Sequence, residues 1–305
     1  MAPGYSLSPD GGELRAAVEQ GRVSALAVEC HRELQGCMDT YPDLFPAGPF
    51  DTRLLNGVAL ANAFGSPWAT AEGLRMALLT SMWNFAADWL VDYVAETREE
   101  VEDLILRCLA VADGTSDGED SSITRFLAHI VNELDTVPAF SEKRSFWCDQ
   151  LERWLRAMAR EWDWKAALSA GDHRATPTFE EYLGNADNFG TTWVNLAHWI
   201  HTGDAATLDH LEELWEASQE VQRVLRLLND LATHHRDLSW GDLNALMLGV
   251  DRAGVVARID ELVDGARALI KPLTDACPWP AAYLERQIGF STGFYGATDY
   301  WGELR

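Results

Sequence analysis

The chain has 305 residues, 47% of them hydrophobic, enough for one large core or two at most. Acidic residues outnumber basic ones 48 to 24, and the formal net charge of -24 repels nucleic acid and anionic membranes. No nucleic-acid partner is therefore expected, and a phosphorylated ligand would need cations to be accepted.

Five cysteines (Cys30, Cys37, Cys108, Cys148 and Cys277) are scattered without a CxxC pair. This spacing points to a reducing compartment and against a disulfide framework or zinc cluster. The opening MAPGYSLSPDGGELR has no basic stretch followed by an apolar one, so no signal peptide is expected. No apolar run approaches the roughly 18 residues that span a bilayer. The expected location is the cytoplasm.

A helical period runs through the whole chain. Residues 12–35 read as a helix with an apolar stripe of Leu14, Val18, Leu26 and Val28. A Pro- and Gly-marked loop over 36–52 follows, then a short helix over 53–63 and a long helical pattern from Pro67 to Glu96. Thr97 is placed to cap the next helix, with Glu99, Glu100 and Glu102 in its first turns, where the dipole favours acids. Residues 113–121 form a polar, acidic loop. Helical patterns resume at 122–136, 141–170, 178–201, 207–238, 241–249, 254–275 and 278–303, with Pro177 and Pro278 where helices begin. No segment alternates as a strand does. The expectation is an all-α chain, a single helical domain over 1–305 of about ten helices, with 1–11 as a flexible tail. Any single one of the thirteen tryptophans reads first as core, but together they invite a search for an aromatic-lined pocket.

Two polar constellations carry the chemistry. In NFAADWLVDYV, Asp88 and Asp92 lie four apart among Phe85, Leu90, Val91 and Val94, on one helix face. Two buried like charges are costly unless a cation lies between them; the alternative is an exposed pair on an amphipathic helix. In RLLNDLATHHRD, Asn229, Thr233 and Asp237 follow at four-residue steps, drifting by only about 40° per step on a helix. Amide, hydroxyl and carboxylate oxygens are hard donors suited to Mg²⁺, which keeps waters and completes its shell with phosphate oxygens; an ordinary polar helix face is the alternative. Arg226 and Arg236 flank this stretch and are suited to bind phosphate, unless they serve surface ion pairs. Asn185, Asp187, Asn188 and Gly190 interrupt an otherwise apolar helix, and Gly190 permits a break that would aim backbone carbonyls into a cavity. His198 and His201 have no acid or Cys partner in view, which argues against zinc.

These residues resemble those of class I terpene synthases. The stretch Asn229, Thr233, Asp237 is similar to the NSE/DTE metal motif of that family. Arg226, Leu227 and Leu228 before it, and Arg236 before its last acid, resemble the plant-type diterpene synthase version. Asp88 and Asp92 match the first and fifth positions of the Asp-rich DDxxD motif, but the second position is Trp89. PTFEEYLGNADNFGTTW (177–193) resembles the EEYL-Asn stretch of kaurene-synthase-like enzymes; the position four after Tyr182, which carries a pyrophosphate-sensing Arg in other bacterial members, is Ala186. FYGATDYWG (294–302) is similar to that group's Tyr-rich ending. No DxDD motif is present, so protonation-initiated cyclisation is not implied.

The resemblance spans about residues 67–303 and implies a bacterial diterpene synthase of the kaurene-synthase-like kind. It would be a helical bundle around a central apolar cavity, with three Mg²⁺ held by Asp88, Asp92, Asn229, Thr233 and Asp237. Arg226 and Arg236 would bind the diphosphate, and Trp83, Phe85, Asn188, Gly190, Trp193, Tyr295 and Tyr300 would line the substrate pocket. The implied substrate is a C20 prenyl diphosphate, bicyclic and labdane-type, and a homodimer is a family expectation. Rival readings are a cyclase of linear geranylgeranyl or farnesyl diphosphate, a chain-elongating prenyltransferase, and a non-catalytic helical binding protein.

Overall fold

The computed structural model of the protein describes residues 12–302; the expected 1–11 tail lies outside them. Among the described residues there are twelve α-helices and no strand. The helices are α1 (Gly12–Thr40), α2 (Thr52–Gly65), α3 (Ala71–Trp89), α4 (Arg98–Ala112), α5 (Ser122–Leu134), α6 (Phe140–Ser169), α7 (Phe179–Gly184), α8 (Thr191–Thr202), α9 (Ala205–Asp209), α10 (Leu211–Trp240), α11 (Arg252–Ile270) and α12 (Pro278–Tyr295).

Local chemistry explains most starts. Thr97 and Thr178 form capping boxes with Glu100 and Glu181, and Asp51, Thr70, Asp204 and Asp251 accept from the first turns of their helices. Pro278 opens α12, as its sequence position predicts.

Several boundaries differ from the sequence expectation. The buried stripe of α1 is Val23, Ala27, Cys30, Leu34 and Cys37, while Leu14 and Val28 are exposed; alanine and cysteines fill three of its five positions, so a search for bulky apolar side chains alone misplaces the face. The helix also continues to Thr40, past the expected loop start at 36. The pattern that reads as one helix to Glu96 turns π-helical over Leu90–Val94 and ends at Ala95, an irregularity often found at functional sites. The expected helix at 241–249 is absent apart from a 3₁₀ turn at Ala245–Met247. Gly241, at φ +77°, ends α10 in the left-handed region, and the Asn244 side chain then caps Leu246.

Helix α8 lies at the centre, packed on α3, α6 and α10, and every residue from Thr192 to Ile200 is buried. Four tryptophans converge around it. Trp193 lies 5.4 Å from each of Trp83, Trp147 and Trp154, centroid to centroid. The indole N–H of Trp83 donates to the Ile123 carbonyl, and that of Trp154 to the Asn188 carbonyl. Trp83 and Trp193, expected in the pocket, are core instead: large flat rings with no solvent access hold the central helix. Replacing Trp193 by Ala should lower the stability of the protein by about 3–5 kcal/mol, read as the shift of the denaturant midpoint.

Candidate active site

The two constellations meet across one cavity of about 220 Å³. Asp88, on the last turn of α3, and Asp92, on the π-helical turn, form one side. Asn229, Arg226, Arg236 and Asp237, all on α10, form the other. Phe85, Asn188, Tyr295 and Tyr300 also line it, joined by Phe290 and Trp301. Phe85 and Tyr300 pack at 5.4 Å and Phe294 and Tyr300 at 4.7 Å, so the C-terminal aromatic stretch closes over α3.

Four expected site residues are placed otherwise. Thr233 is buried behind the lining, with its hydroxyl 2.6 Å from Asp237 Oδ2 and 2.9 Å from the Asn229 carbonyl. It orients Asp237. Trp83 and Trp193 belong to the core, as described above. Gly190 stands one layer back, at φ +72° between the 3₁₀ turn Ala186–Phe189 and α8, and a Cβ there would collide with the Asn84 side chain. The break occurs where the sequence places it, but its carbonyls are not free: Asn188 O accepts from Trp154 Nε1 and Phe189 O from Asn84 Nδ2.

Neither arginine is a surface residue. Arg226 is buried, 2.7 Å from Glu161 Oε1, and its Nε donates to the Tyr182 hydroxyl at 2.8 Å. That hydroxyl donates in turn to Asp230 at 2.9 Å. Arg236 sits 2.7 Å from Asp299, 3.5 Å from Asp237 and over the Trp240 ring.

Sequence reasoning missed Asp230, Glu161, Asp242 and Lys165. Asp230, fully buried, also accepts from the Ala245 amide. Asp242 lies 2.5 Å from Lys165 Nζ and accepts from the Tyr93 hydroxyl at 2.8 Å. A signal existed for two of them: Glu161 and Lys165 are four apart in REWDWK, an acid and a base on one face with Trp162 and Trp164 between them in sequence.

A family model described as terpene synthase family 2, C-terminal metal binding, matches residues 80–267. The chain belongs to this terpene synthase family. Among curated proteins it is similar to the ent-pimara-9(11),15-diene synthase of Streptomyces sp. (strain KO-3988), at 26% identity over 92% of this chain and 94% of that one. Among solved structures it resembles 2-methylisoborneol synthase from Streptomyces coelicolor A3(2), in complex with Mg²⁺ and geranyl-S-thiolodiphosphate. The TM-score is 0.68 and the identity 15%, over 100% of this chain and 98% of that one. It also resembles germacradien-4-ol synthase from Streptomyces citricolor, with a TM-score of 0.65 and 16% identity over 88% of this chain and 91% of that one. At such identities the structures establish the shared all-α fold. None of the described helices is long and apolar enough to cross a membrane.

The electrostatics of this terpene synthase cavity suit added cations. Six acids line it (Asp88, Asp92, Glu161, Asp230, Asp237, Asp242) against two bases, Arg226 and Arg236. Burial pushes Asp88 up to about 7, with the Asp242 charge adding to it. Asp92 is raised well above the carboxylate range by burial and then by Asp88. Burial also lifts Asp230 to about 7, against the pull of Arg226, and raises Asp237. No three acid, thiol or imidazole groups among the described residues already converge as a closed metal cage. The donors are hard oxygens spread over two walls, which fits a metal whose shell is completed by water and a ligand's phosphates.

The raised pKa of Asp88 has a definite sign for stability. An unfolded Asp titrates near 3.9, so between about pH 4 and 7 the metal-free folded state binds more protons than the unfolded one. This group's contribution therefore falls as pH rises through that window, and the deficit stays above it. Asp88→Asn should raise the stability of the metal-free protein at pH 8 by about 1–3 kcal/mol and change it little at pH 4, read by denaturant melts at the two pH values.

Proposed function

We propose that this terpene synthase uses Mg²⁺ to ionise a C20 prenyl diphosphate and cyclises the resulting cation within its aromatic-lined cavity, the substrate being a bicyclic labdane-type diphosphate. The observation that carries the reading is the convergence of Asp88 and Asp92 with Asn229 and Asp237 across a single cavity that Phe85, Phe290, Tyr295, Tyr300 and Trp301 also line. The curated relative named for a pimaradiene supports the C20 class. The EEYL-Asn stretch and Tyr-rich ending, Phe294 to Gly302, support the labdane-type substrate.

Asp88, Asp92, Asn229 and Asp237 would hold Mg²⁺, with Thr233 fixing the Asp237 carboxylate. When bound, the metal supplies Lewis-acid stabilisation of the charge that develops on the departing diphosphate. Arg226 and Arg236 are positioned to take phosphate oxygens from the α10 wall, exchanging part of their present ion pairing with Glu161 and Asp299. Phe85, Phe290, Tyr295 and Tyr300 line the cavity, and their ring quadrupoles would stabilise a carbocation there. Trp301 packs on Phe85 at 5.4 Å and, with Tyr300, excludes water that would quench the cation.

The test is incubation with Mg²⁺ and a panel of C10 to C20 linear and bicyclic diphosphates, following diphosphate release and extracted hydrocarbon by mass spectrometry. Asp88→Ala and Asn229→Ala should each lower release by about 100-fold or more while the melting transition persists. Turnover of only linear C15 or C20 substrates would replace the labdane reading, and full activity in both variants would overturn the metal assignment.

A further inference from the structure

Lys165 stands directly behind the acids of the cavity. Its ammonium lies 2.5 Å from Asp242 Oδ1, 3.3 Å from the Asp92 carbonyl oxygen and 4.9 Å from the Tyr93 ring centroid. The Tyr93 hydroxyl takes the other oxygen of Asp242 at 2.8 Å. One carboxylate from the loop after α10 is thus clasped by a base on α6 and a phenol on the π-helical turn. Burial opposes the charge on Lys165, but Asp242 and Asp92 outweigh it and its pKa is raised.

Asp242 is itself part of the cavity lining, beside Asp88 and Asp92, and its charge is the largest electrostatic influence on Asp88. Asp242 also belongs to a segment with no motif. Trp89, at the second position of the Asp-rich pattern, offers no oxygen and stacks on Tyr93 at 4.8 Å. An acid from the facing loop is held by the residue that Trp89 stacks on.

On the reading that this is a Mg²⁺-dependent terpene synthase, we propose that Asp242 is a further carboxylate of the metal site and that Lys165 is its resident counter-cation, holding Asp242 in the metal-free protein and yielding it when metal and diphosphate arrive. A fixed ammonium beside the site competes with a divalent cation for the same carboxylate. The competition is relieved when an anionic ligand compensates the released ammonium, so metal binding is linked to diphosphate binding. Lys165 is a positioning residue in this scheme and Asp242 a ligand.

The experiment is calorimetric titration of Mg²⁺, alone and with inorganic pyrophosphate, into the wild type, Lys165→Met, Lys165→Arg and Asp242→Asn. Lys165→Met should bind Mg²⁺ alone about threefold to tenfold more tightly than the wild type and lose most of the gain that pyrophosphate brings. Lys165→Arg should behave as the wild type. Asp242→Asn should weaken binding with pyrophosphate by about tenfold or more. A purely structural Lys165 predicts the opposite sign, because its loss would loosen the site. A folded Lys165→Met that binds Mg²⁺ no more tightly than the wild type overturns the clasp, as does Asp242→Asn with unchanged affinity, which reads the claim even if Lys165→Met fails to fold. Absence of diphosphate release by the wild type, alongside these shifts, would defeat the proposed function and leave the clasp standing. Turnover with unshifted affinities would do the reverse.

Discussion

Carboxylates gathered around a cavity with too few positive charges set the terms for the rest of this molecule. Asp88, Asp92, Asp230 and Asp237 all have raised pKa values because burial removes the water that would stabilise their charge. A folded chain keeps such a group only if other contacts outweigh it. Here those contacts are the four-tryptophan cluster around α8 and the long apolar faces of α3, α6 and α10. None of the four clustered tryptophans lines the cavity. Stability resides in that cluster, and the rings that line the cavity are left to meet a ligand.

The break between α7 and α8 is held by a polar chain that crosses the apolar interior. Arg153 pairs with Asp187 at 2.6 Å, and Gln222 donates to the same carboxylate. Gln222 accepts from the Thr192 amide at 2.9 Å, Ser218 donates to Thr192, and Asn195 donates to both Ser218 and Gln287. Gln287, on α12, returns a bond to Asn195 at 2.9 Å and lines the cavity. Buried amides and hydroxyls are costly singly but rigid when each is satisfied. The chain pins the first turn of α8 to α10 and α12, so the broken helix is a fixed feature and its geometry is transmitted to the wall of the cavity.

The sequence was legible where a single helix carries the information. The four-residue spacing of Asn229, Thr233 and Asp237, the cap at Thr97 and the break at Gly190 are all local facts, and each is found on its helix, although Thr233 stands behind the cavity lining. It was less legible where the partner comes from elsewhere. Asp230 reads as one more polar residue until Tyr182 is seen to donate to it, and Asp242 until Lys165 and Tyr93 are found on either side. The aromatic residues divide for the same reason. Tyr295 and Tyr300 face the cavity while Trp83 and Trp193 are core, and nothing in composition separates rings that pack on each other from rings that line a space. Helix α1 misled because Ala27, Cys30 and Cys37 share its buried face with Val23 and Leu34, while Leu14 and Val28 point outward.

The position four residues after Tyr182 shows how a missing charge is compensated through the fold. Ala186 is buried within the 3₁₀ turn, so no cation projects from that site. The break is tied to a cation all the same. Asn188, in the same turn, donates to one oxygen of Glu161, and the other oxygen of Glu161 holds Arg226 at 2.7 Å. Arg226 in turn reaches the α7 side through Tyr182, whose ring it covers and whose hydroxyl it bonds. Any ligand that draws the guanidinium away from Glu161 leaves that carboxylate with Asn188 alone. Arg226 is thereby joined to both sides of the break, through one carboxylate and one phenol rather than through a residue on the turn itself.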